Sequence, residues 1–200
     1  MTMVRSSTKV LLALAAMVPL AGCISLAPKP PASLLTLTST TTLPAGNTQT
    51  SGTAPTITIQ VPVVGQSLAG TRIPVQASET SIAYVAKAQW VEPPNRMFAR
   101  LLSDTIPAKT GRIVLSSSQA FSDPGAVLSG ELRAFGVDAG TQDAVVVFDG
   151  SLIRTTGKVV EKHRFEARVH VSTIAAVPVS VALNQAANTV AGEVADWVGK

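Results

Sequence analysis

One cysteine occurs in the sequence, Cys23, and it follows Leu20-Ala21-Gly22. A thiol is the only side-chain group in that stretch able to form a thioether, and small residues ahead of it let an enzyme hold the backbone extended. Cys23 is therefore the first candidate for chemistry, as an attachment point, with cleavage between Gly22 and Cys23. A single cysteine excludes an intramolecular disulfide, so the fold must be held by its core. His163 and His170 are seven apart in one strand-like stretch, and alternation at period two sends them to opposite faces, away from a shared metal or a paired base. Asp138, Asp143 and Asp149 flank turn signals, where a carboxylate bonds local backbone. No Gly-x-Ser-x-Gly elbow and no phosphate loop is present. An esterase assembled from scattered Ser, His and Asp is the enzyme reading left open.

The residues ahead of Cys23 explain how it would be used. Arg5 and Lys9 introduce an apolar run of 11 residues, 10–20. A bilayer core needs about 20 apolar residues, so this run is too short to span and suits an export signal. Charges, apolar run and Leu-Ala-Gly-Cys in that order resemble the bacterial lipobox. The resemblance implies a signal peptide over 1–22 and a lipidated tether over 23–32. It implies a diacylglyceryl unit and an N-acyl chain, such as palmitate, on Cys23, and no other cofactor. Two or more acyl chains make a stable anchor. Ile24, where an Asp would retain the protein at the inner membrane, points to the outer membrane, with the domain facing the periplasm. Pro28, Pro30 and Pro31 stiffen the tether, which lifts the domain by up to about 25 Å.

Composition sets further bounds. The net charge of +4 includes Arg5 and Lys9, and the 14 basic and 12 acidic residues outside that pair are scattered. That distribution lacks the footprint of nucleic-acid binding. With 46% hydrophobic residues, the span 33–200 is enough for one domain with its own core.

The elements that would position any site follow from periodicity. Residues 33–37 read as a short first strand, and 38–54, rich in Thr, Ser, Gly and Asn, as a flexible loop. Thr56-Ile57-Thr58-Ile59-Gln60-Val61 alternates as a strand with one buried face. Residues 72–76 read as an edge strand because Pro74 has no N–H to donate. Over 81–90, Ile82, Tyr84, Ala86, Ala88 and Trp90 share a face. A first amphipathic helix starts at Pro93-Pro94, with Met97, Phe98, Leu101, Leu102, Thr105 and Ile106 on its stripe, and Pro107 and Gly111 stopping it. Strands follow over 112–116, 127–137, 144–154 and 159–171, the last two joined by a turn at 155–158. In the last strand Phe165, Ala167, Val169 and Val171 face inward while Lys162, Arg164, Glu166, Arg168 and His170 face water. A second helix from Pro178 carries the stripe Val179, Ala182, Leu183, Ala186, Ala187, Val190, Ala191, Val194 and Trp197. This order predicts an α+β fold, with two amphipathic helices on one face of a mainly antiparallel sheet.

Several local sequences also resemble a known family. Tyr84, Gln89-Trp90-Val91-Glu92-Pro93-Pro94 and Met97 are similar to a Trp-x-Glu-Pro-Pro segment of the ABC-type transport auxiliary lipoproteins, a family that includes the lipoprotein of the paraquat-inducible protein system. Leu128-Ser129-Gly130-Glu131-Leu132-Arg133-Ala134-Phe135 and Thr156-Gly157-Lys158-Val159-Val160 through Phe165 resemble two further segments. The likeness covers about 34–197, and the Thr-rich stretch 38–54 is longer than the family usually has.

The resemblance implies that 33–200 is a non-catalytic accessory to an ABC permease and ATPase whose periplasmic component carries mammalian-cell-entry (MCE) domains. Lipid would be the cargo, with docking or a homo-oligomer at the outer membrane. Trp90, Glu92 and Arg96 are the candidate partner interface, because a strand passing through Pro93-Pro94 into a helix projects side chains from a rigid base. The alternative is a lipid carrier with its own acyl-chain pocket, suggested by Val145, Val146, Val147 and Phe148, which also read as a central strand buried on both sides.

Overall fold

Thr and Ile alternate through β1 (Thr56–Ile59), and after the short β2 (Val63–Val64) and a 3-10 turn at Gln66–Leu68 the chain enters a hairpin. That hairpin is β3 (Arg72–Ser78) and β4 (Ser81–Gln89). Then come α1 (Pro94–Thr110), β5 (Ile113–Leu115), β6 (Ala126–Asp138), β7 (Asp143–Ile153), β8 (Val160–His170) and α2 (Ala176–Gly199). The structure, a computed structural model, describes residues 33–121, 125–154 and 159–200. The signal, Cys23, the tether and the 155–158 turn lie outside the described residues.

The sheet is organised around β6. One edge of β6 carries β7 in a long antiparallel ladder, and β7 carries β8 in the same way. The other edge meets β1, β2 and β3 in turn, each parallel and two or three residues long. β5 adds to β1, and β4 to β3. The long ladders are antiparallel and the short ones parallel, so the fold is α+β with a mixed, mainly antiparallel sheet in a single domain.

Both helices cover one face. The α1 stripe of Met97, Phe98, Leu101, Leu102, Thr105 and Ile106 is buried, and Phe98 meets Phe148 of β7 with ring centroids 5.3 Å apart. Alanines at 182, 186, 187, 191 and 195 let α2 lie close to the sheet and to α1. Lys109 locks the two helices, its Nζ donating to the Gly192 carbonyl at 3.1 Å and pairing with Asp196 at 2.8 Å.

Four expectations are corrected. Residues 33–37 form no strand beyond one parallel bridge, Leu35 to Trp90, because only Leu35 reaches the end of β4. β3 is not an edge, since it lies between β4 and β6. Pro74 is tolerated there because the pairing with β6 begins only at Val75, and Gly136, which a Cβ would drive into the Pro74 carbonyl, leaves room for its backbone. The proposed face of β4 breaks at Lys87, whose φ of 55° marks a bulge. Val85 joins Ala88 and Trp90 in the core, while Ile82 is 47% exposed. Finally, Pro107 does not stop α1. Losing one N–H still permits another turn, in which Thr110 Oγ1 donates to the Ile106 carbonyl at 2.6 Å before Gly111 closes the helix at φ 70°.

Candidate functional site

The strand-to-helix junction is built from three local constraints. Leu35 clasps β4 by donating to the Gln89 carbonyl at 2.8 Å and accepting from the Val91 amide at 2.9 Å. Pro94 supplies a first helical residue that has no N–H to satisfy. Asn95 donates through Nδ2 to the Pro62 carbonyl at 3.0 Å, tying the start of α1 to the sheet. On this frame Trp90 is fully buried, edge-on to Phe135 at 5.7 Å. Among the described residues its Nε1 and the Asn95 Oδ1 are buried without hydrogen-bond partners. Glu92 and Arg96 do reach the surface, and they are not a pair. Glu92 pairs with Arg100, and Arg96 is exposed.

A second surface, which the sequence reading described only as solvent-facing, is the outer side of β6, β7 and β8. The registers place side chains there in rows: Glu131, Asp149 and Arg164 in one, Ser129, Ser151 and Lys162 in the next. Arg164 binds Asp149 through Nε and Nη2, both at 2.6 Å, and Arg133 bridges Asp149 at 3.5 Å and Glu131 at 3.2 Å. The hydrogen bond from Arg164 first, then the nearby guanidinium charges, hold the Asp149 carboxyl below its ordinary range. Arg168 pairs with Glu166 at 2.7 Å and Asp138 at 3.6 Å. Because Ser129, Gly130, Gly150 and Ser151 are small, the floor sinks into an open groove of about 760 Å³, walled by Val61 and Val63 on one side and Lys162 and Arg164 on the other. Polar pairs of this kind do not form an enclosed acyl-chain pocket. Val145, Val146 and Phe148 are buried within the central strand β7.

The two histidines are apart as expected. His163 lies against Phe165 and Trp197, at 4.5 and 6.1 Å between ring centroids, and His170 Nδ1 is 3.5 Å from Asp143 on the outer face. Neither hydrogen-bonds to a serine among the described residues, and no three His, Cys, Asp or Glu there gather at metal-binding distance. No described helix is long and apolar enough to cross a membrane.

A third feature escaped sequence reasoning altogether. Asn184 and Asn188, one turn apart on α2, capture the 38–41 segment. Thr38 N donates to Asn184 Oδ1 and Thr40 N to Asn188 Oδ1, each at 2.8 Å, while Asn188 Nδ2 donates to the Thr38 carbonyl at 2.9 Å. Ser39 reaches Thr105 on α1 at 3.3 Å, so the segment crosses both helices. The available signal was two Asn at i and i+4 within an Ala- and Val-rich helix.

The family model for the ABC-type transport auxiliary lipoprotein component matches residues 36–195. The chain belongs to that family. Its members are lipoprotein components of ABC-type transport, which makes this chain a transport accessory associated with an ABC system and attached to the cell envelope. Two crystal structures share its fold. One is a Xanthomonas campestris protein of the DUF330 family, at 18% identity, covering 83% of this chain and 94% of that one, with a TM-score of 0.65. The other, described as an uncharacterised protein, has 15% identity, covers 72% and 93%, and has a TM-score of 0.60. No curated protein matches the sequence.

Proposed function

We propose that this chain is the non-catalytic accessory of an ABC-type lipid transporter with an MCE-domain periplasmic component, held at the outer membrane by acyl chains on Cys23 and working as a homo-oligomer. The observation that carries the reading is the family match over 36–195 directly behind a sequence with the order of a lipobox. A tethered domain of this kind serves by docking. Glu92, Arg96 and Arg100 offer charged groups on the rigid strand-to-helix frame, and Trp90 acts beneath them as the packing that holds the frame.

The test is purification of the tagged, full-length lipoprotein from envelope membranes. The expected result is recovery of a permease, an ATPase and an MCE-domain protein, together with loss of that association on Glu92→Ala with Arg96→Ala. Stoichiometric phospholipid with no transporter component would favour the carrier, and ester hydrolysis lost on His163→Ala would favour the enzyme. Address is tested separately. Cys23→Ser is expected to leave an uncleaved, unacylated precursor, and the wild-type protein is expected to sediment with outer-membrane vesicles. Recovery with inner-membrane vesicles would overturn the outer-membrane assignment.

A further inference from the structure

Side chains on one face of a strand recur every second residue, about 7 Å apart, and on the outer face of β6, β7 and β8 each such step changes the chemistry. Val127, Ile153 and Val160 align across the three strands in a first row. Ile153 and Val160 are 40% and 50% exposed, so this row is apolar and open. The second row is Ser129, Ser151 and Lys162, and the third is Glu131, Asp149 and Arg164. The second and third rows form the floor and one wall of the open groove of about 760 Å³, with Val61 and Val63 opposite.

The charges of the groove do not cancel. The carboxylates of Glu131 and Asp149 are met by the guanidinium groups of Arg133 and Arg164. Lys162 has no ion-pair partner among the described residues, and it leaves a surplus of one positive charge. Beside it the Ser151 hydroxyl has no hydrogen-bond partner among the described residues, and that of Ser129 reaches the Ser151 carbonyl only at 3.5 Å. Two donor hydroxyls and an ammonium group therefore lie in one row, uncommitted.

We propose that this groove binds a phospholipid headgroup, its phosphodiester lying across Ser129, Ser151 and Lys162 and the first carbons of its acyl chains lying on Val127, Ile153 and Val160. Neighbouring strands stand about 4.8 Å apart, a gap that two oxygens of one phosphate bridge. Lysine serves phosphate as a mobile point charge, and a phosphodiester carries the single negative charge that the surplus matches. The apolar row is one step along the strands from the hydroxyls, which is where the glycerol esters of a phospholipid would place their chains. Burying exposed Ile153 and Val160 favours an amphiphile over a free phosphate. The site is open, so it exchanges lipid and does not store it, and it lies across the sheet from the α1 junction.

The experiment uses the full-length lipoprotein in maltoside micelles, with the folding of every variant checked by circular dichroism. Dihexanoyl phosphatidylglycerol is titrated calorimetrically into protein and into empty micelles, and inorganic phosphate and dihexanoyl glycerol are titrated in parallel. The wild type is expected to bind the phospholipid at one site and each of the other two at least about tenfold more weakly. Lys162→Gln is expected to weaken phospholipid binding about tenfold, as loss of a charged hydrogen-bonding partner does. Ile153→Ser with Val160→Ser is expected to weaken phospholipid binding and leave phosphate binding unchanged, and Arg96→Gln on α1 to change neither. Equal affinity for phosphate and phospholipid, or phospholipid binding undiminished in the Ile153 and Val160 variant, would overturn the lipid assignment. Binding undiminished in Lys162→Gln, or no heat beyond that of empty micelles, would overturn the groove. None of these titrations contains a transporter component, so the groove and the accessory role stand or fall separately.

Discussion

Asn188 stands to Thr40 as one strand stands to another, its side-chain oxygen accepting the Thr40 amide at 2.8 Å while its amide nitrogen donates to the Thr38 carbonyl at 2.9 Å. A side-chain amide here acts as a rung of a ladder beside the bond from Thr38 N to Asn184 Oδ1, and it fixes the chain across the helices just after it enters the domain. Asn188→Ala removes these two Asn188 bonds together with the one that Thr40 Oγ1 donates to Asn188 Oδ1 at 3.0 Å. It is expected to lower the unfolding free energy by about 1–2 kcal/mol and to speed amide hydrogen exchange at Thr40. Unchanged exchange there would show that the segment is held by its remaining contacts, the bond from Thr38 to Asn184 and that between Ser39 and Thr105 among them.

Asp149 makes stability depend on pH in a set direction. Its carboxyl is held below the ordinary carboxylate value, chiefly by the hydrogen bond from Arg164. A depressed carboxyl stabilises the fold above its unfolded-state value, about 4, and loses that contribution as pH falls through the folded-state value. Asp149→Asn is therefore expected to lower Tm at pH 7, with a difference from wild type that shrinks as pH drops below about 4. A difference that stays constant down to pH 2 would mean that the loss comes from packing and not from charge.

Much of the fold was legible because burial follows period. The α1 stripe from Met97 to Ile106 and the α2 stripe from Val179 to Val194 are buried as their spacing implies. The inward residues Phe165 and Ala167 of β8, and Val171 just beyond its end, are buried too. What escaped was set by contacts distant in sequence. Pro74 reads as an edge residue from its own chemistry, and only Gly136, in another strand, shows why an interior strand accepts it. Nothing near Lys87 announces a bulge, yet that one residue reverses the face of β4. The outer groove follows from Ser129 and Gly130 lying beside Gly150 and Ser151, a juxtaposition fixed by the β6–β7 register. At the junction, the Pro93-Pro94 pair marked the helix start, but the pairing of Glu92 with Arg100 was not legible, because it joins a residue before the helix to one two turns along it.

The Gly136 environment yields a third expectation. A methyl group there would overlap the Pro74 carbonyl oxygen and crowd its ring, and a backbone oxygen has no alternative rotamer. Gly136→Ala is expected to destabilise by about 1–3 kcal/mol, the range for forced overpacking, measured by denaturant unfolding. Pro74→Ala in the same chain is expected not to rescue it, since the overlap is with the carbonyl and not the ring. Full rescue would place the clash on the ring.

Trp90, Glu92 and Arg96 are three residues of one motif with two physical roles, and substitution separates them. Trp90 fills a closed space against Phe135, so Trp90→Ala leaves a large cavity and is expected to cost about 3–5 kcal/mol. Glu92 forms a surface pair with Arg100, and Arg96 extends into solvent, so replacing both with alanine is expected to change stability by about 1 kcal/mol or less. Denaturant unfolding of the two variants checks this ordering. The functional consequence is opposite in kind. If the junction docks a transporter component, Glu92→Ala with Arg96→Ala abolishes association while the domain remains folded. Trp90→Phe, which keeps most of the buried volume and presents nothing new at the surface, leaves association intact. Loss of binding in Trp90→Phe at preserved stability, with the Glu92 and Arg96 variant still binding, would move the docking surface away from the charged rim.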